Sequence, residues 1–122
     1  MTERLVRAVS NKHVGISGHP TGRILLRRDP YKFDLDTVLK AAKAKGVHME
    51  LNAAPERLDL CDAHLKRVRE LGLKVVMNTD SHHTSHMEKI KYGVLQARRA
   101  WLTKKDVLNT LGSEKFLQAL KG

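Results

Sequence analysis

The 122-residue sequence has a single cysteine, Cys61, which excludes an internal disulfide and a thiolate metal cluster and fits a reducing cytosol. Any metal must then be held by imidazole and carboxylate. Aromatic residues are scarce, at one Trp, two Tyr and two Phe, so there is no stacking platform for a single nucleic-acid strand. The roughly 18 consecutive apolar residues of a membrane span occur nowhere. The segment from Met1 to Ser10 lacks the apolar stretch of a secretion signal. No repeat, low-complexity tract or linker divides the chain. These absences lead to the expectation of a soluble, cytoplasmic protein with no membrane partner, built as one domain over residues 1–122.

Positive charge is abundant. Lys and Arg number 23 against 13 Asp and Glu, a formal net charge of +10. Such a field favours polyanions, including nucleic acid, nucleotides and acidic lipid. Basic balance also serves solubility alone, so it narrows partners and leaves the chemistry open.

Hydrophobic periodicity switches repeatedly between helical and extended, with glycines at the switches. Leu5, Val6 and Val9 make a short helical stripe ending near Asn11. Val14–Gly18 reads as a short buried strand running into His19 and Pro20. Asp34 can cap a helix through Leu35, Val38, Leu39 and Ala42 that stops at Gly46. A strand over Val47–Ala53 follows, then a helix through Leu60, Cys61, Leu65, Val68 and Leu71 closed by Gly72. Leu73–Asn78 is the clearest strand. Helices are expected beyond it over Ser85–Lys91, Val94–Ala100, Lys104–Leu111 and Ser113–Leu120. Strands alternating with helices imply βαβ units: an α/β fold with about three parallel strands, flanking helices and a helical C-terminus.

In parallel α/β sheets the functional side chains project from the C-terminal strand ends. The first strand ends at His19. The second carries His48, Glu50 and Asn52 in alternation with apolar residues, so one face is polar. The third ends in Asn78, Asp80 and His82. This set suits a borderline divalent cation such as Zn²⁺ or Mn²⁺. Asp80-x-His82 is its sharpest element, since two donors just past a strand can reach one metal or two neighbouring ones. An isolated Asp-x-His is equally a turn former, and His19 before proline can simply cap a turn. Asn52, Asn78 and His83 are candidates to orient the ligands, and His83 and His86 can also be exposed residues of a helix start. His13 and His64 read as surface or packing residues, and His48 lies deeper than the rim. Arg23 and Arg57 are candidate phosphate or nucleic-acid contacts, because guanidinium pairs with phosphate through two hydrogen bonds. Arg27 and Arg28 fit that role or a merely solvated loop equally well.

The motifs Gly18-His19-Pro20-Thr21-Gly22-Arg23, Glu50-Leu51-Asn52, Asn78-Thr79-Asp80-Ser81-His82, Tyr92-Gly93-Val94, Ala97-Arg98-Arg99-Ala100-Trp101-Leu102 and Asp106-Val107-Leu108-Asn109-Thr110 run through nearly the whole chain. In order and spacing the sequence resembles the C-terminal part of the PHP domain of bacterial and archaeal family X DNA polymerases. The resemblance implies part of a distorted (βα) barrel with a metal cluster at its C-terminal rim. It implies a metal-dependent phosphoesterase, Mn²⁺-stimulated, with 3′–5′ exonuclease and DNA end-processing activity. His19, Asp80 and His82 match metal ligands of that family, and Asp80 is also placed to orient the attacking water, with metals lowering its pKa. The family's His-x-His motif and its middle His and Glu ligands have no counterpart here. The expectation is therefore a partial barrel with an incomplete metal site and two open sheet edges. The missing N-terminal part of the domain or a second copy would complete it. A structural or DNA-binding module without catalysis, and another metal hydrolase acting on a small phosphate ester, are the competing readings.

Overall fold

A computed structural model describes residues 1–120. The order of elements is α1 (Thr2–Val9), β1 (Ile16–Ser17), α2 (Leu35–Ala44), β2 (His48–Asn52), α3 (Asp62–Glu70), β3 (Val75–Asn78), α4 (Ile90–Arg99) and α5 (Ser113–Leu120). 3₁₀ turns over Thr84–Lys89 and Leu108–Thr110 precede α4 and α5. The capping chemistry read from the sequence operates. Asp34 accepts the Thr37 N–H at 3.2 Å at the start of α2, a contact worth about 1 kcal/mol. Gly46 and Gly72 follow α2 and α3 with φ of +69° and +79°, the left-handed conformation that ends helices.

The three strands form one parallel sheet in the order β1-β2-β3. Ile16 pairs with His48, Met49 with Val75, and Asn52 with Asn78. Because side chains alternate across a strand, Met49 and Leu51 of β2 and Val75 and Met77 of β3 meet the helices. There they join Leu39 and Ala42 of α2, Leu65 and Val68 of α3, and Ala97 of α4 in a single buried cluster. His48, Glu50 and Asn52 fall on the opposite face. The end of α5 reaches this second face, where His48 Nε2 lies 3.0 Å from the Ala119 carbonyl oxygen. The architecture is the α/β fold with three parallel strands and flanking helices that the sequence pattern implies.

Three expectations need correction. The segment Lys104–Leu111 is not a helix: Val107 bridges Val75 in parallel, Val75 donates to the Asp106 carbonyl at 2.8 Å, and only Leu108–Thr110 turns as 3₁₀. Pairing with the β3 edge overrides the local apolar spacing. The same segment answers the expectation of two open edges. The Asn109 side chain accepts the Met77 N–H at 2.7 Å and donates to the Met77 carbonyl at 2.8 Å, mimicking a neighbouring strand. The two helices expected over Ser85–Ala100 are one 3₁₀ turn continuing into α4. Within α4, Gly93 crosses so close to the sheet that a Cβ there would stand 2.7 Å from Met77 Sδ and 2.8 Å from Ala53 Cβ. Among the described residues, no helix is long and apolar enough to cross a membrane.

Candidate metal and phosphate site at the strand ends

Parallel strands deliver their last residues to one rim, and Glu50 ties that rim together. Its side chain belongs to a residue only 7% exposed. One oxygen accepts the His19 N–H at 2.5 Å and the other accepts Asn78 Nδ2 at 2.9 Å. A buried carboxylate needs such partners, and here they come from the ends of β1 and β3. His19 and Asp80 both sit at positive φ, +24° and +53°. That region is sparsely used by non-glycine residues, although Asp and His enter it more readily than most. Two of the three expected ligands therefore occupy backbone held in place by its surroundings, a pattern found at functional sites.

Asp80 anchors a small polar cluster. Asn52 Nδ2 donates to its Oδ2 at 3.2 Å, and Arg57 Nε lies 3.5 Å from the same oxygen. His82 Nδ1 lies 2.8 Å from the Asp80 backbone carbonyl. With the proton on Nδ1, that contact fixes the tautomer and leaves Nε2 as the donor atom, the usual orientation of a metal-binding histidine. The His82 N–H donates to His86 Nδ1 at 3.1 Å. Ile24, Leu25, Arg27, Arg57, Asp80 and His82 line one cleft of about 480 Å³ together with Glu56 and His86.

The remaining expected residues separate from this cleft. His19 lines a different hollow, of about 310 Å³, beside Pro20, Arg28 and Tyr31. Its link to the Asp80 cluster runs through Glu50 and the strand ends. Asn78 supports Glu50, and Asn52 supports both Asp80 and the Ala54 N–H at 3.1 Å. His83 caps the 3₁₀ turn by accepting the Ser85 N–H at 3.1 Å. Arg23 is half-buried and directs its guanidinium at the carbonyls of Arg57 and Leu58. Arg57 thus faces Asp80 while its own backbone is held by Arg23. Asp80 and His82 suit a borderline divalent ion in donor type. Among the described residues, however, no group of three or more His, Cys, Asp or Glu lies together as a metal set.

Asp59 is a site residue that no spacing in the sequence marks. It is fully buried, with Oδ2 accepting the N–H groups of both Thr21 and Gly22 at 3.0 Å. Burial pushes its carboxyl above the ordinary value, against the opposing hydrogen bonds of Thr21 and the Arg23 charge. Its role is to hold the turn that follows His19. A carboxylate between Leu58 and Leu60 was the available signal, since a charge in an apolar run is either exposed by a turn or buried with partners.

No protein-family model matches the chain. It is 44% identical over 107 residues to DNA polymerase/3′-5′ exonuclease PolX of Bacillus subtilis, covering 88% of this chain and 19% of that protein. It is 28% identical over 115 residues to a probable phosphatase of a Thermoanaerobacter species, covering 89% of this chain and 44% of the relative. A probable phosphatase of Clostridium acetobutylicum is 32% identical over 87 residues, 66% of this chain and 33% of the relative. The chain spans less than half the length of these relatives.

Proposed function

We propose that this chain, which resembles the C-terminal part of the PHP domain of family X DNA polymerases and is 44% identical over 88% of its length to the PolX of Bacillus subtilis, supplies part of a metal-dependent phosphoesterase centre acting on DNA phosphodiesters. The reactions are 3′–5′ exonucleolytic removal and related end processing in cytoplasmic DNA repair. The observation that carries this reading is the shared cleft of Asp80 and His82 with Arg57 and Arg27: an oxygen and a nitrogen donor next to cationic groups that pair with phosphate oxygens.

Asp80 and His82 would hold Mn²⁺ or Zn²⁺, and His19 would contribute from its own side of the rim. Such an ion supplies Lewis acidity towards a phosphate oxygen and lowers the pKa of bound water. Asn52 and Arg57 fix the Asp80 carboxylate, and the Asp80 carbonyl orients His82. Arg27 offers its guanidinium to a non-bridging phosphate oxygen. Two clustered donors are fewer than a catalytic ion takes from protein. The isolated chain is therefore catalytically incomplete, and the remaining ligands come from a further segment of the domain or from a second copy.

The formal charge of +10 together with the incomplete donor set favours a second reading, a non-catalytic DNA-binding module. Manganese titration followed by electron paramagnetic resonance, run beside hydrolysis of a labelled oligonucleotide with and without EDTA, separates the two. The phosphoesterase reading expects metal uptake that Asp80→Ala abolishes, with cleavage restored when the rest of the domain is supplied. Salt-sensitive DNA binding with no metal uptake under any of these conditions selects the binding module.

A further inference from the structure

The turn that follows the His19 loop displays a side chain for which the metal site has no use. Ile24 and Arg28 form an isolated antiparallel bridge, with the Ile24 N–H donating to the Arg28 carbonyl at 3.0 Å and the Arg28 N–H returning to the Ile24 carbonyl at 2.8 Å. Leu25, Leu26 and Arg27 make its tip. Leu26 is 105% exposed and has φ of +66°, a conformation strained for a residue with a branched apolar side chain. The turn is nevertheless firmly held. The Leu25 N–H donates to the Glu56 carbonyl at 2.6 Å, and Arg28 Nε donates to the Gly22 carbonyl at 2.8 Å. A fixed backbone thus holds a leucine entirely in water.

Its surroundings indicate what it meets. Ile24, Leu25 and Arg27 line the cleft of Asp80 and His82, and Leu26 lines the adjoining hollow of about 270 Å³ with Arg27 and Arg28. Arg27 lines both hollows, and a guanidinium next to an apolar tip complements a ligand in which phosphate and a flat apolar surface recur at short intervals. A nucleotide chain has that chemistry. Inorganic phosphate and sugar phosphates offer nothing to Leu26.

We propose that the Ile24–Arg28 turn is a base-contacting finger: Leu26 packs against the face of a nucleobase while Arg27 holds a neighbouring phosphate. The finger thereby discriminates nucleotide phosphodiesters from base-free phosphate esters. This rests on the phosphoesterase reading only for what happens to the bound phosphate, because the contact itself needs no catalysis.

The test is fluorescence anisotropy of the full chain, without metal, against a labelled single-stranded oligonucleotide and an abasic oligomer of the same length and charge. Leu26→Ala should weaken binding of the base-containing strand about five-fold, the factor corresponding to roughly 1 kcal/mol of apolar contact, and leave the abasic strand unchanged. Leu26→Phe should strengthen the first alone. Arg27→Ala should weaken both and lower the salt dependence by about one unit of slope. Equal effects of Leu26→Ala on the two strands, or none on either, overturn the finger, as does a wild-type chain that does not distinguish them. Manganese uptake, measured separately, decides the phosphoesterase reading whichever way the two strands compare.

Discussion

The backbone N–H of His19 donates to Oε2 of Glu50 at 2.5 Å, so a residue buried in the middle strand sets where the first strand ends. The other Glu50 oxygen accepts from Asn78. Glu50→Ala leaves both donors without an acceptor and should destabilise the chain by about 2 to 4 kcal/mol. Glu50→Gln keeps one acceptor and should lose less than half as much. Urea unfolding of the two variants checks the order, and equal losses would contradict the bridging role.

Asp59 carries a pH signature. Its folded pKa is raised by burial above the ordinary 3.8. The stability it contributes is therefore complete below that value and is lost as pH rises through the folded pKa. Asp59→Asn removes this dependence, so the stability difference between variant and wild type should move in the variant's favour between acid and neutral pH. Asp59→Ala should lose about 2 to 3 kcal/mol at acid pH, because Thr21 and Gly22 lose their acceptor, and that loss should shrink with rising pH as it does for Asp59→Asn. Unfolding midpoints measured across that range give both results, and a parallel profile for Asp59→Asn would refute the first.

How much of this was legible follows from which interactions are local. Asp34, Gly46 and Gly72 mark helix ends through the conformation of a few neighbouring residues, so α2 and α3 were readable within a residue or two. The alternation of Met49, Glu50 and Leu51 likewise announced a strand with one polar face. The segment after Thr103 reads as a helix because its apolar spacing is compatible with one, while the deciding contact, Val75 with Val107, is distant in sequence. The role of Asp59 depends on Thr21 and Gly22, nearly forty positions earlier, and no spacing rule links them. Asp80 and His82 were visible as a pair because they are two residues apart. Their separation from His19 into another hollow was not visible, since it depends on how the loop at Ile24–Arg28 folds between them.

Gly93 sets how close α4 comes to the sheet. Gly93→Ala places a methyl group against Met77 Sδ and Ala53 Cβ at under 3 Å. Met77 can move, but Ala53 is held at the end of the sheet, its N–H donating to the Asn78 carbonyl at 2.7 Å. Overpacking of this kind costs about 1 to 3 kcal/mol, against a gain in helix propensity of about 1 kcal/mol. A net loss of up to about 2 kcal/mol in thermal or urea unfolding is expected, and a raised midpoint would show that α4 can retreat freely.

Asn109 guards the outer side of β3 with both ends of its amide. Asn109→Ala frees the Met77 N–H and carbonyl, with an expected loss of about 1 to 2 kcal/mol and greater self-association of the exposed edge. Unfolding and size-exclusion chromatography report these separately. A variant that elutes as wild type and keeps its midpoint would show that Asp106 and Val107 cover the edge unaided.

A side chain occupying the place of a strand also gives the sheet a direction. Beyond β3 the ladder is terminated by Asn109, whereas beside β1 no strand pairs among the described residues. The Met77 N–H and carbonyl, both already paired, are thereby closed to any further strand on that side.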